Sequence, residues 1–111
     1  MTALELANKL GFQILNKGDG NDRVIDGVYC CDLLSIVMGR AKTNDAWVTV
    51  MGNVNTIAVA VLSDVSCIIL SEGMQLDQAA LNKAVGQQIC VLASDLPTFE
   101  ISLMIAREIG K

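Results

Sequence analysis

The side chains best suited to chemistry in this 111-residue chain stand where predicted strands give way to helices. They are carboxylates, amides, hydroxyls and one glycine, and they form the candidate ligand-binding set: Asp32, Asn53, Asn55, Ser71, Gly73, Ser94, Asp95 and Thr98. Such groups bind small molecules through hydrogen bonds, and helix N-termini beside them attract anions. The same residue types are also the preferred N-caps of helices. Two interpretations therefore stay open, a ligand site or a set of caps.

Groups that would carry out catalysis are scarce. The chain has no histidine, which excludes a Ser–His or Cys–His nucleophile pair. It also lacks the Gly-x-x-x-x-Gly-Lys-Ser/Thr phosphate loop. An acid–base enzyme that uses Asp32 and Asp95 remains an alternative, but we predict no catalytic residue, no metal site and no cofactor.

The four cysteines, at positions 30, 31, 67 and 90, lie in apolar, strand-like runs. None forms a Cys-x-x-Cys pair, and no histidine is present to complete a zinc site. We therefore predict four buried thiols rather than a metal or redox site. Reduced thiols favour a cytoplasmic location, as does an N-terminus without the pattern of a signal peptide.

The charge balance argues against nucleic acid as a partner. Eight Lys and Arg against twelve Asp and Glu give a net charge of -4, and the cations form no basic cluster in the sequence. The longest apolar run, at 57–62, is too short to cross a bilayer, so no membrane partner is expected.

The hydrophobic pattern predicts alternating strands and helices that would position the candidate residues. Strands are predicted at 12–15, 24–31, 46–51, 66–70 and 89–93, and helices at 2–10, 32–39, 54–62, 77–85 and 97–109. Crossovers of this length join parallel strands. The prediction is one domain over residues 1–111, an α/β fold of the three-layer α/β/α sandwich type with a mainly parallel sheet of about five strands. Since parallel connection brings all strand-to-helix turns to one edge, the candidate residues should share that edge.

Two of the predicted helices are apolar nearly all the way round. The first carries Leu33, Leu34, Ile36, Val37 and Met38, and the second, at 54–62, carries aliphatic residues separated by alanines. A helix that covers one face of a sheet normally keeps a polar outer stripe. We therefore predict a two-fold homodimer whose interface includes residues 33–38.

Four stretches in succession resemble a known family: 27–35, 45–49, 55–60 and 94–100. Together they are similar to a DRTGG domain, over about residues 6–105. The resemblance implies an α/β/α domain like the N-terminal domain of HPr kinase/phosphorylase, and a bacterial regulatory or dimerisation module without established catalysis. Kinase activity is not implied, because the chain has no room for a kinase domain.

The chain departs from the family pattern at one turn. No Thr-Gly-Gly follows Asp22-Arg23, and the turn after the fourth strand, where such a sequence is expected, reads Ser71-Glu72-Gly73. Glu72 adds a side chain and a negative charge, which disfavours a bound anion at that turn.

Three functions follow as hypotheses. The leading one is a non-catalytic regulatory or assembly module that homodimerises and senses a small metabolite or docks on a partner protein. The alternative is a nucleotide or small-anion binding domain that uses the C-terminal edge of the sheet. The third is a small enzyme or redox protein that uses Cys30, Cys31 or an aspartate.

Overall fold

The computed structural model describes residues 1–111 as five strands and five helices. The strands are β1 (Gln13–Asn16), β2 (Gly27–Cys30), β3 (Asp45–Thr49), β4 (Cys67–Leu70) and β5 (Val91–Ala93). The helices are α1 (Ala3–Leu10), α2 (Leu34–Arg40), α3 (Val54–Ser63), α4 (Gln78–Gln87) and α5 (Thr98–Glu108). None of the helices combines the length and the apolarity needed to cross a membrane.

One sheet contains all five strands, in the order β1-β5-β4-β3-β2. Strands β2 to β5 are parallel, and β1 pairs with β5 in the antiparallel sense. The prediction of an α/β fold on a mainly parallel five-stranded sheet is thus confirmed. The antiparallel direction of β1 was not part of that prediction.

The two faces of the sheet are covered by different helices. One core cluster joins α2, α3 and α4 to the sheet, with Val37, Ile57 and Ala84 fully buried. The other joins α1 and α5 to the opposite face, with Leu6 and Ile101 fully buried. The result is the three-layer arrangement that the alternation of strands and helices predicts.

Local sequence decides most of the helix starts. The Thr2 hydroxyl and the Glu5 carboxylate form a capping box at α1, and the side chains of Asn53 and Asp77 cap α3 and α4. Pro97 is the N-cap residue of α5, although its side chain makes no capping bond. The predicted caps at Thr2 and Asp77 are confirmed.

The predicted cap at Asp32 is wrong. Helix α2 begins at Leu34, and the N-cap position is occupied by Leu33, which makes no capping bond. The Asp32 carboxylate instead accepts hydrogen bonds from the Thr49 hydroxyl at 2.7 Å and the Val50 amide at 3.0 Å. It therefore joins the ends of β2 and β3, because a tertiary partner offers two donors.

The strand predicted at 24–31 is shorter than expected, because its first residues pair elsewhere. Val24 forms an isolated bridge with Thr2, and the Ile25 amide donates to the Met1 carbonyl. These contacts hold Met1 and Thr2 against residues 24–25 and leave Gly27–Cys30 for the sheet.

Arg23 ties together the loops at the N-terminal edge of the sheet. Its guanidinium donates to the Asn44 side chain at 2.6 Å, to the Val65 carbonyl at 3.0 Å and to the Asp64 carbonyl at 2.7 Å. It also pairs with the Asp64 carboxylate at 3.0 Å. Both Asn44 and Asp64 have a left-handed backbone, which costs free energy in a non-glycine residue. The planar fork of one arginine thus holds the loops that lead into β3 and β4.

Replacing Arg23 by alanine should lower the free energy of unfolding by about 2–4 kcal/mol, because several hydrogen bonds at a mostly buried site are lost together. Chemical denaturation measures this change. Arg40→Ala is the matched control, since Arg40 is exposed at the end of α2, and it should shift stability by less than about 0.5 kcal/mol. Equal effects of the two variants would contradict the role given to Arg23.

Candidate functional site

A cleft opens at the C-terminal ends of β4 and β5. The chain leaves β4 for α4 on one face of the sheet and leaves β5 for α5 on the other. Adjacent connections that part to opposite faces open a crevice between them, which is where α/β proteins bind ligands. The cleft has a volume of about 680 Å³, within the range of small-molecule sites. Its walls come from the end of α1, from β1, from the β4–α4 loop with Leu81, and from residues 93–96.

Backbone hydrogen bonds join the two turns that border the cleft. The Glu72 amide donates to the Leu96 carbonyl at 2.9 Å, and the Gly73 amide donates to the Ser94 carbonyl at 3.1 Å. Glu72 and Gly73 both have a left-handed backbone, with φ of 60° and 70°. Glycine adopts this conformation without strain, whereas Glu72 does so at a steric cost.

Side chains reinforce the same connection. The buried Ser71 hydroxyl lies 2.7 Å from the Thr98 hydroxyl, and the Glu72 carboxylate accepts a hydrogen bond from the Thr98 amide at 3.0 Å. Glu72 therefore caps α5 from a distant part of the chain. We call these bonds between residues 71–73 and 94–98 the clamp.

The predicted ligand-binding residues lie in three places: the lining of the cleft, the clamp, and the ends of β2 and β3. Gly73, Ser94 and Asp95 line the cleft. Ser71 and Thr98 are engaged with each other in the clamp.

Asp32, Asn53 and Asn55 lie outside the cleft, at the ends of β2 and β3. Asp32 joins these strands, and the Asn53 side chain accepts from the amides of Asn55 and Thr56 at 3.0 and 3.2 Å. For Asn53, the capping interpretation accounts for the contacts of the side chain.

The electrostatics of the cleft are acidic. Asp95 is the only charged residue in its lining, and Glu72 and Asp77 flank the β4–α4 loop. The helix N-termini at this edge are already capped by Glu72 on α5, Asp77 on α4 and Asn53 on α3. An incoming anion would have to displace these groups.

Cations gather at a different place. A second cavity, of about 780 Å³, lies beside the free edge of β2, and its lining includes Arg40, Lys42 and Lys111 together with Asp26 and Asp45. The sequence did not suggest this grouping, since Lys111 joins Arg40 and Lys42 from a distant part of the chain.

The side of the cleft that α1 and β1 supply was not predicted from the sequence. Leu10, Gly11, Gln13 and Leu15 line it. They reach the cleft because β1 lies antiparallel beside β5, with Gln13 opposite Ala93. The helix stop at Gly11 was the one local signal, whereas the pairing of β1 with β5 spans the whole chain.

Gly52 sets the position of the opposite wall. A Cβ atom at Gly52 would lie 2.1 Å from the Gln75 carbonyl oxygen and 3.0 Å from the Leu76 Cα. The Gly52 carbonyl also accepts from the Asp77 amide at 2.9 Å. The β4–α4 loop can pack this closely only because residue 52 has no side chain.

Two of the four cysteines do not match the prediction of burial. Cys67 and Cys90 are fully buried, but Cys30 is exposed and Cys31 is half-buried. Cys30 is accessible because β2 is an edge strand. Burial raises the pKa of Cys67 well above its usual value and that of Cys90 to about 12. Both buried thiols are therefore protonated at neutral pH, and a thiol is unreactive in that form.

One member of the predicted interface is also misplaced. Val37 lies on the inner side of α2, is fully buried in the core, and cannot contact a second subunit. Leu33, Ile36 and Met38 are exposed and Leu34 is half-buried. The burial of Val37 follows from helix geometry, because a seven-residue helix that packs on a sheet must turn one side towards the sheet.

The mainly parallel sheet, its two helical layers and its C-terminal cleft define the chain as an α/β/α sandwich domain. The chain belongs to the DRTGG domain family, whose model matches residues 5–108. The resemblance of the four sequence stretches is thus confirmed. No sequence match was found among curated proteins.

A solved structure shares the fold. It is the crystal structure of the CBS and DRTGG domains of the regulatory region of Clostridium perfringens pyrophosphatase, complexed with the activator diadenosine tetraphosphate. The similarity has a TM-score of 0.75 at 17% sequence identity, and it covers 94% of this chain and 46% of that one. This chain therefore spans about half the length of that solved chain.

Gly52→Ala should lower the free energy of unfolding by about 2–4 kcal/mol, because the backbone at Gln75 must move away from the new Cβ. The control is Gly86→Ala in α4, where a Cβ meets nothing within 4 Å. That variant should gain about 0.5–1 kcal/mol from helix propensity. A Gly52→Ala protein as stable as the native one would show that the loop does not depend on this contact.

Labelling of the native protein with a thiol reagent at mildly alkaline pH should modify Cys30 rapidly and Cys31 more slowly. Cys67 and Cys90 should react only after unfolding, because they are buried with raised pKa values. Mass spectrometry of the digested protein identifies the modified positions, and Cys30→Ser should remove the fast phase. Rapid reaction of Cys67 or Cys90 in the native protein would contradict the structure.

Proposed function

We propose that this chain is a non-catalytic regulatory or assembly module that forms a two-fold homodimer through α2 and α3. One observation carries the proposal. Neighbouring helices of one layer expose a set of large apolar side chains, which we call the apolar face: Leu33, Ile36, Met38, Val54, Val61 and Leu62.

Helix α3 forms the centre of this surface. It packs between α2 and α4, so its outer side lies in the middle of the layer. Val54, Ala58, Val61 and Leu62 share that side, at the spacing of successive helical turns. Leu62 is 70% exposed, and α3 has no charged residue at any position. Exposure of such an apolar surface to water is unfavourable, and a contiguous apolar patch typically marks an interface.

A second copy of the chain is a suitable occupant. In a two-fold contact the same patch meets itself, so each charge near the axis faces its own copy. A patch whose central helix is free of charge meets no such repulsion. Ile36 and Met38 lie on opposite flanks of α2, about 200° apart around its axis, so one flank of α2 extends the surface beside α3. Helix α4, on the other side of α3, exposes the more polar residues Gln78, Asn82 and Lys83.

Family membership supports a regulatory role. The structurally similar protein is described as a regulatory region, and this chain corresponds to part of it. We further propose a bacterial and cytoplasmic setting, which rests on the family resemblance and on the unpaired cysteines of the sequence.

The second candidate function is the sensing of a small metabolite or nucleotide in the cleft. The volume of the cleft, its position where adjacent connections part, and three predicted residues in its lining favour a ligand there. A phosphate-bearing nucleotide is the less favoured version, because the lining contains no cation.

Leu62→Lys should shift the protein from dimer to monomer, because it places like charges against each other across the two-fold axis. Size-exclusion chromatography with light scattering at micromolar concentration measures the mass. The matched control is Val85→Lys on α4, which replaces an exposed valine outside the apolar face. The control should remain a dimer.

Two outcomes would overturn the dimer proposal. A native protein that is monomeric at every concentration would remove it. A Leu62→Lys variant that dimerises as well as the native protein would place the interface elsewhere. Circular dichroism of the variant confirms that the fold is kept.

A further inference from the structure

The charges around the cleft favour a cationic ligand. The Asp95 carboxylate stands against Gly73, where an added Cβ would lie 3.3 Å from one of its oxygens. No side chain of the protein donates a hydrogen bond to it, and no cation pairs with it. A carboxylate at the rim of a partly enclosed cleft is ready to accept a donor from a ligand.

The end of α1 adds to the negative potential. Leu10 and Gly11 line the cleft, and Gly11 is the left-handed C-cap of this helix. The C-terminal end of a helix carries a partial negative charge from carbonyl groups that lack partners, and it attracts cations. Lys9 is the one cation in this last turn, and its ammonium group pairs with Glu108 of α5.

The walls of the cleft combine apolar side chains with polar groups. Leucines from α1, β1, the β4–α4 loop, α4 and the β5–α5 turn contribute, and Met74 adds a flexible side chain: Leu10, Leu15, Leu76, Leu81 and Leu96. The neutral polar groups are Gln13, Gln75 and Ser94. Such a lining binds the apolar body of a ligand, while a few polar groups orient it.

The clamp removes the features that would select an anion. The carboxylate of Glu72 occupies the N-terminus of α5. A phosphate at this position would face Glu72 and Asp95 together, and repulsion between like charges disfavours that complex.

From the charge and shape of the cleft we infer that its ligand is a small molecule with a protonated amine on an apolar body, and that Asp95 is the counter-ion of the amine. This rests on the ligand-sensing function proposed above and specifies the ligand class. The amine lies near Asp95 and the end of α1, and the apolar body lies against the leucines.

A matched pair of probes tests the inference. Phenethylamine and 3-phenylpropionate have similar apolar bodies and opposite charges, and ATP represents nucleotides. Titration into the ¹⁵N-labelled protein, followed by amide chemical shifts, detects binding in the millimolar range. Phenethylamine should shift the amides of Gly11, Gly73 and Asp95 in a saturable manner and bind about tenfold more tightly than 3-phenylpropionate.

Asp95→Asn should weaken the binding of phenethylamine by about two- to fivefold, since a single exposed charge pair is lost. The control is Glu100→Gln, an exposed acid on α5 outside the cleft, and it should leave the affinity unchanged. Added salt should weaken amine binding in the native protein and much less in the Asp95→Asn protein.

The outcomes separate the ligand class from the sensing function. If 3-phenylpropionate or ATP binds the cleft as tightly as the amine, the ligand class is wrong and the sensing function survives. If the Asp95→Asn protein binds the amine with unchanged affinity, Asp95 is not the counter-ion of the amine. If none of the three probes shifts the cleft amides, both the ligand class and the sensing function fail.

Discussion

The structure depends on the direction in which the chain is wound. From β2 to β5 each strand is added on the same side of the previous one, and each crossover helix therefore falls on the same face. Only after β5 does the chain cross to the other face, where α5 joins α1. This winding has two consequences: the change of face after β5 opens the cleft between β4 and β5, and the shared face of the three crossover helices makes α3 the middle helix of an outer layer.

The clamp joins the two turns between which the chain changes face. Where two connections part, their turns would otherwise lie unsupported at the edge of the sheet. The bonds from Ser71, Glu72 and Gly73 to the β5–α5 turn hold them together and start α5 with a carboxylate. The same bonds use up hydroxyl groups that a ligand would need. The cleft is left with one free carboxylate, a set of leucines beside neutral polar groups, and the end of α1.

Much of the fold was predictable from local pattern. Alternating hydrophobic runs located all five strands and all five helices, and the caps at Thr2 and Asp77 were read from short-range chemistry. What local pattern did not reveal was pairing over long distances. The Ser71–Thr98 hydrogen bond, the antiparallel contact of β1 with β5 and the loops held by Arg23 all join residues far apart in sequence.

The candidate site was predictable only in part for the same reason. Gly73, Ser94 and Asp95 follow directly from the rule that parallel strands end at one edge. Asp32 failed as a cap because two donors at the end of β3 bind its carboxylate. The apolar, strand-like runs around the cysteines predicted four buried thiols, but burial depends on strand order, and Cys30 lies on an edge strand.

The central claim is that this domain acts as a dimer assembled through the apolar face of α2 and α3. Sedimentation equilibrium of the native protein over a series of concentrations tests it most directly. For a two-fold dimer the mass should rise with concentration to that of two chains, with no larger species, because a two-fold contact is closed. A mass of one chain throughout the micromolar range would contradict it, and so would open-ended growth to larger assemblies.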